Sequence, residues 1–564
     1  MGSEEICTKK GDLPGSRYIA TDGCVLLHGL GVPRTTRMRF FNTAGPVNPQ
    51  DHYCLPPLAR FALDDMLMLI AQQKYFVLHA PRQTGKTSAL LALMTHLNAQ
   101  GAYRCVYVNV EMGQAAREDV AAAMQAIRGE LATWARIVLN DTFVDDIWDE
   151  TLSKSGPYGV FGTVLSRWAA HDARPLIVLI DEIDALLGDT LLAVLRQLRA
   201  GYTRRPEHFP HSVVLCGVRD VRDYRIHSSR EQAIITGGSA FNIKSESLRL
   251  GDFTQHEVEV LYQQHTAETG QRFTPEALAR VWELTQGQPW LVNALGYEAC
   301  FRNRAGRDRT QPITQEALEQ AKEQLILRRE THLDQLVDKL QEARVQRVIE
   351  PLLAGDVLAD ALDTDDVAYT VDLGLIKQER NGALRLANPI YQEVIPRELT
   401  WNIQSGMTEQ TTWYVRADGY LEMARLLAAF QVFFREHAEH WVERFQYKEA
   451  GPQLLLQAFL QRIVNSGGRI EREYGLGNMR TDLLVRWPYP GGFQTVVLEL
   501  KVLHKSLEQT VAAGLEQTWA YMDRCNASEG HLVVFDRTPG KPWEEKLFQR
   551  QETHRGHPIT LWGM

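Results

Sequence analysis

Eight consecutive residues, Ala80-Pro81-Arg82-Gln83-Thr84-Gly85-Lys86-Thr87, offer phosphate chemistry. They follow an apolar run from Tyr75 and open a stretch of helical character, Thr87 to Asn98, which is the context a G-x-x-x-x-G-K-[ST] loop demands. The expected nucleotide contacts are Ala80, Arg82, Gln83, Thr84, Gly85, Lys86, Thr87 and Ser88. Gly85 lets backbone amides turn inward, Lys86 reaches the β- and γ-phosphates, and the Thr87 hydroxyl binds Mg²⁺. Ala80 stands where the motif has its first glycine, a change that a small residue with negative φ accommodates. The partner signal is the apolar run Leu176 to Ile180 leading into Asp181-Glu182. It puts Asp181 on the metal's hydration shell and Glu182 where it can polarise the water attacking the γ-phosphate. Gly217-Val218-Arg219-Asp220 closes another apolar run, where a γ-phosphate sensor sits, so Arg219 joins the expected contacts. Arg196, Arg199, Arg204 and Arg205 lie just before it. Each reads equally as an arginine finger or as a solvated basic helix end favoured by the macrodipole.

A second constellation lies near the carboxyl end. Asp482 opens an apolar strand pattern, and after the turn Pro488-Tyr489-Pro490-Gly491-Gly492 the chain returns as Thr495 to Lys501. Residues i and i+2 of a strand share a face, so Glu499 and Lys501 point the same way, and Asp482 joins them if the strands pair. Two carboxylates and the Leu500 carbonyl make an all-oxygen site suited to Mg²⁺ or Mn²⁺. The lysine can orient or deprotonate a water beside it. Gln517 and Tyr521, one helical turn apart, can hold a phosphate or a base. Glu449 and Glu473 are lesser candidates for the metal shell. The competing reading of Glu499 and Lys501 alone is an exposed ion-pair stripe, which the Asp482 spacing and the Gln517/Tyr521 pair argue against.

These residues need elements to hold them. Continuous apolar runs at Tyr75–Ala80, Arg104–Val110, Leu176–Ile180 and Ser212–Cys216, separated by helical stretches, predict a parallel sheet covered on both faces. Helix starts at Thr254-Gln255-His256-Glu257 (a capping box) and Thr274-Pro275 predict a helical lid. Arg380-Asn381-Gly382 between extended segments predicts a hairpin and, with the helices before it, a winged helix-turn-helix. The expected organisation is an irregular segment over 1–65 packing on the ATPase, a P-loop unit over 66–252, the lid over 253–332 and the winged unit over 333–400. A linker near Ser405-Gly406 then leads to a last α/β unit over 410–564. The length of 564 residues agrees with about four domains.

The formal charge of −9, from 70 acidic and 61 basic residues, argues against a wide basic face for duplex nucleic acid, so any such contact must be local. Seven scattered cysteines without a Cys-x-x-Cys pair exclude a standard zinc module and argue against a disulfide framework. No run of about 18 apolar residues exists and the amino end has no signal-peptide pattern, so the expected location is cytoplasmic with no membrane contact.

Over almost the whole chain the residues resemble prokaryotic ATP-binding proteins with an AAA-like P-loop domain and a C-terminal PD-(D/E)xK nuclease domain. The landmarks are Phe41 to Pro46, Ala80 to Thr87, Gly217 to Tyr224, Gly287-Gln288-Pro289-Trp290, Asp372-Leu373-Gly374-Leu375 and Ala387-Asn388-Pro389-Ile390-Tyr391. The ATPase half is similar to the archaeal-ATPase clade of STAND switch proteins. That resemblance makes Gly287-Gln288-Pro289 the lid motif that senses nucleotide and Pro289 a nucleotide contact. The Gln517/Tyr521 element resembles the exonuclease branch of the nuclease superfamily. The resemblance thus implies an α/β multidomain protein: a P-loop NTPase sheet with helical lid and winged helix, followed by a restriction-endonuclease-like domain. Its implied cofactors are ATP and Mg²⁺, with Mn²⁺ an option at the nuclease site. Its implied partners are nucleic acid, DNA being the expected one, and further copies of the chain through the ATPase domain. Antiviral defence or mobile-element biology is the setting implied. One departure is the acidic winged unit: Asp363, Asp365, Asp366 and Asp372 would repel a phosphate backbone, which favours an internal interaction element over a DNA reader. Two rivals stay open, a nucleotide-switch scaffold whose last domain binds nucleic acid or protein without cutting, and a motor that moves along DNA.

Overall fold

The computed structural model describes residues 38–60, 63–220, 223–228, 233–328, 331–354, 362–380, 382–404, 414–444, 451–465, 468–473, 482–503, 506–538 and 540–564. Residues 1–37, Asn381 of the hairpin turn, the linker at Ser405-Gly406 and Glu449 lie outside them.

Five strands form one all-parallel sheet in the order Arg104–Asn109, Leu176–Asp181, Ser212–Gly217, Tyr75–His79, Lys244–Arg249. The inner strands are apolar throughout because helices cover both faces. Helices Leu63–Ala71 and Lys86–Gln100 bury Met66, Ile70, Leu90 and Leu97 on one side. Helices Val120–Leu139, Phe143–Ser155, Val160–His171 and Gly188–Gly201 bury Met124, Trp148, Trp168 and Leu195 on the other. The fifth strand, Lys-Ser-Glu-Ser-Leu-Arg, has no apolar run to announce it. It lies at the sheet edge, half exposed, where polar side chains are tolerated. After the strand Arg104–Asn109 the chain makes a short 3₁₀ turn, Glu111–Ala116, before Asp119 caps the α-helix Val120–Leu139.

The lid helices begin where their caps predict. Thr254 and Glu257 form a reciprocal capping box on Gln255–Thr269, and Thr274 caps Pro275–Thr285 with Pro275 in the first turn. Two-residue strands Phe40–Phe41 and His52–Tyr53 pair in parallel and pack on this lid, where the Phe41 ring meets Tyr262 at a tilt of 48°. Helices Thr331–Leu340, Ala343–Ala354 and Thr364–Asp372 follow. Then come the antiparallel pair Ile376–Gln378 and Leu384–Leu386 and the helix Pro389–Gln404.

The last sheet is mixed and six-stranded: Arg469–Glu473, Asp482–Tyr489, Gly492–Val502, Glu529–Phe535, His557–Gly563, Phe548–His554. Helices Met423–Arg444 and Gly451–Asn465 cover one face through Phe430, Phe434, Leu455 and Phe459. Helix Leu507–Cys525 covers the other through Tyr521 and Met522. Among the described residues no helix is long and apolar enough to cross a membrane, and Cys105, Cys216 and Cys300 are free thiols.

Candidate functional site

The loop after Tyr75–His79 is tied down before it meets any ligand. The Ala80 amide donates to Gly217 O, and Gly85 takes φ +94° as the cap of helix Lys86–Gln100. That helix start aims free amides into the cavity, a ready anion site. Lys86 is buried, and its ammonium donates to the Ala80 and Pro81 carbonyls at 2.9 and 3.0 Å. Thr84 Oγ1 donates to Pro81 O at 2.8 Å. Arg60, which carried no signal in the sequence, donates to Thr84 O at 2.6 Å and Gly251 O at 2.7 Å, and its guanidinium lies over Phe253. Burial pulls the Arg60 pKa down to about 10.

The metal side is built across three elements. Thr87 Oγ1 donates to Asp181 Oδ2 at 2.7 Å, Tyr107 donates its hydroxyl to the same oxygen at 3.0 Å, and the Glu182 amide donates to Oδ1 at 3.0 Å. Asp181 is fully buried. A hydroxyl and a carboxylate converging from a loop helix and a strand end suit Mg²⁺, which prefers few protein oxygens and keeps several waters. Glu182 sits in the left-handed region at φ +55°, and burial raises its carboxyl while the Lys86 charge opposes the rise. A raised carboxyl is the stronger base toward an attacking water.

Arg60, Gly85, Lys86, Thr87, Tyr107 and Glu182 border a cavity of about 530 Å³, within the usual range for small-molecule sites, while Ala80 and Asp181 lie behind its wall. Gln83 and Ser88 line it as expected, with Pro289 and Trp290 of the lid opposite. The segment Asn42 to Val47 closes another side, held by Trp290 Nε1 on Thr43 O at 2.9 Å and by the Val47 amide on Ser88 Oγ at 3.1 Å. Gly287 admits the lid's close approach: its φ is +79°, and a Cβ there would stand 2.0 Å from Phe253 O.

Arg219 is placed elsewhere. With Pro81 and the exposed Arg82 it lines a second cleft of about 950 Å³ facing residues 332–391. Its guanidinium lies 3.5 Å from Asp372 Oδ2 and over the Tyr369 ring. Gly374 presses on the phosphate loop, where a Cβ would meet Pro81 at 2.8 Å. Of the other arginines, Arg199 bonds Ser239 O, while Arg205 bonds Gln73 O and Tyr202 O and stacks on Tyr202. Of the acids between 363 and 372, Asp363 caps its helix, and Asp366 pairs with Arg344 and Arg347.

In the C-terminal sheet, Asp482 lies directly opposite Glu499, and Glu473 opposite Asp482, on successive antiparallel strands. Opposed residues share a face, which here is the one covered by helix Leu507–Cys525. The side chains of Asp482 and Glu473 lie outside the described residues. Glu499 is fully buried and its carboxylate is 2.5 Å from Lys501 Nζ, which remains partly exposed. Leu500 follows in register with Val533, its side chain on the opposite face. Gln517 and Tyr521 come from the covering helix. Gln517 Oε1 is buried without a hydrogen-bond partner among the described residues, and Arg524 lies over the Tyr521 ring. Among the described residues no group of three or more His, Cys, Asp or Glu side chains is placed to hold a metal ion.

A family model described as "AAA-like domain" matches residues 68–394, more than half of the chain. Among solved structures, the Walker-type ATPase of Pyrococcus abyssi is 14% identical over 63% of this chain and 99% of its own, with a TM-score of 0.41. Cdc6p from Pyrobaculum aerophilum is 14% identical over 61% and 95%, TM-score 0.34. The RuvB Holliday junction branch migration motor of Thermotoga maritima is 13% identical over 59% and 95%, TM-score 0.31. No curated protein matches the chain. The loop, the Thr87–Asp181 pair and the family match lead to one conclusion: the chain belongs to the AAA-like domain family, and its phosphate-loop half is an ATP-binding ATPase.

Proposed function

We propose that the protein is an ATP-controlled, metal-dependent nuclease. In this reading Lys86 neutralises the β- and γ-phosphates, Thr87 and Asp181 hold Mg²⁺, and Glu182 polarises the attacking water. Asp482, Glu499 and the Leu500 carbonyl hold Mg²⁺ or Mn²⁺ in the C-terminal unit, where the cation would offset charge on the phosphate under attack. Lys501 orients the water, and Gln517 positions the phosphate or a base. The observation that carries the nuclease reading is the Asp482–Glu499 register, with Lys501 two residues on and Gln517 reaching down from the covering helix.

The unit over 333–400 is, on this reading, a winged helix that transmits the nucleotide state. Support comes from its contacts: Asp372 engages the Arg219 guanidinium at the sheet's carboxyl end, and Gly374 abuts Pro81 of the loop. Two of its four acids, Asp366 and Asp372, pair with arginines of the same chain, which suits an internal switch element better than a DNA reader. DNA is the expected substrate, self-association through the ATPase half the expected assembly, and antiviral defence or mobile-element biology the setting. The test is cleavage of labelled single- and double-stranded DNA and RNA with Mg²⁺ or Mn²⁺, with and without ATP. Cleavage that vanishes in Glu499→Gln supports the reading. Binding without cleavage in all conditions would make the protein a nucleotide-switch scaffold instead.

A further inference from the structure

A fully buried carboxylate such as Asp181 is tolerated only where donors replace water. Thr87 and the Glu182 amide are two of its donors, both within the motifs that the phosphate loop and its partner strand define. The third is Tyr107 of the edge strand Arg104–Asn109, in register with Leu179, two residues before Asp181. Its hydroxyl shares Oδ2 with Thr87, at 3.0 and 2.7 Å. The ring is buried, and Trp134 of helix Val120–Leu139 meets it edge-on at 5.1 Å between centroids, which restrains it from turning away. Burial and the neighbouring Asp181 charge push the phenol far above its ordinary range, so it stays a donor at any working pH.

Two donors on one carboxylate oxygen fix the carboxylate's plane. A cation that bonds Thr87 and meets Asp181 through its waters needs that plane, since Mg²⁺ demands near-octahedral geometry. We propose that Tyr107 is a positioning residue for the nucleotide's magnesium: it holds Asp181 in the orientation that the hydrated cation meets and so sets the affinity for metal. The inference rests on reading the loop cavity as an Mg²⁺–ATP site, and it assigns the edge strand and the Trp134 helix a part in that site.

Tyr107→Phe keeps the ring and its Trp134 contact and removes one hydroxyl. Fluorescent ATP-analogue binding in EDTA, ATP turnover against Mg²⁺ concentration, and melting temperature are measured for the parent, Tyr107→Phe and Lys86→Ala proteins. The Mg²⁺ concentration giving half-maximal turnover is expected to rise about tenfold in Tyr107→Phe, the weight of one hydrogen bond to a charged group. Metal-free nucleotide affinity should stay at the parent value. An unchanged Mg²⁺ requirement, or an equal loss of metal-free affinity and melting temperature, overturns the proposal and makes Tyr107 a structural residue. Failure of the site reading looks different: the parent would then bind nucleotide without regard to Mg²⁺ or to Lys86.

Discussion

The phosphate-loop cavity and the Glu499 face are made of opposite materials. At the loop, a helix start and the Lys86 ammonium present positive charge, and the Asp181 carboxylate beside them accepts from Thr87, Tyr107 and a backbone amide. On the C-terminal sheet a buried carboxylate comes first and a lysine is set against it. The loop cavity gathers its walls from five places far apart in sequence: the segment at 42–47, the loop, the strand end at Tyr107, Glu182 after the next strand, and the lid at Trp290. The C-terminal pair needs only one strand and its period of two. A site spread over several elements can report their relative positions, whereas a site within one strand must be told what the rest of the molecule is doing. That difference is a physical reason for the contacts at Asp372 and Gly374, through which residues 333–400 touch the loop half.

The comparison breaks first at Glu182. Glu182→Gln should keep ATP binding through Lys86, Thr87 and Asp181 and lower turnover by about 10²–10⁴-fold, the weight of a general base. Because burial raises this carboxyl, turnover of the parent should fall off at a higher pH than an ordinary carboxylate, near 4.3, would give. If the two sites are coupled, the trapped variant also differs from the parent in cleavage rate or mass at saturating ATP. One rate and one mass in every nucleotide condition would separate the two halves for good.

Glu499→Gln and Lys501→Ala test the other side. Each should lower metal-dependent cleavage by about a hundredfold or more while ATP binding stays as in the parent. Cleavage at the parent rate in purified Glu499→Gln protein would move the nuclease site away from this face. Lys86→Ala should then weaken nucleotide binding by about ten- to a hundredfold with the fold intact, which calorimetry reads directly.

The smallest effect concerns the joint between lid and winged unit. His332 stacks on Trp290, a wall of the nucleotide cavity, and its Nε2 lies 2.6 Å from the Tyr391 hydroxyl. Burial lowers its imidazole to about 4. Between about 6.5, its value in an unfolded chain, and 4 the unfolded state therefore holds more protons than the folded one. Stability is at its full value above 6.5 and is lost as the pH falls toward 4, by on the order of 3 kcal/mol. His332→Phe keeps the stack and should flatten the fall in melting temperature between pH 7 and 4.5. An equally steep fall in the variant would assign the acid sensitivity to other groups.

The chemistry of the loop, Asp181-Glu182 and the Glu499–Lys501 pair was legible because each is short in sequence, where adjacency or a period of two decides what meets what. Four of the five ATPase strands were legible for a related reason: strands buried on both faces must be continuously apolar, as Leu176 to Ile180 are. The edge strand Lys244–Arg249 escaped that rule, because half of it faces water. Arg60 and Tyr107 carry no local pattern at all. They matter only because the fold brings a lone arginine onto Thr84 and a strand tyrosine onto Asp181, partners 24 and 74 residues away. Arg219 teaches the same lesson in reverse. Its position after an apolar strand pointed to the phosphates, but a guanidinium follows the nearest favourable charge and ring, and packing brought Asp372 and Tyr369 to it from 150 residues on. Local spacing determined which groups this chain has for its chemistry. Only the tertiary structure decided which of them face the same cavity, because long-range burial and charge pairing set side-chain direction and neither leaves a periodic trace in the sequence.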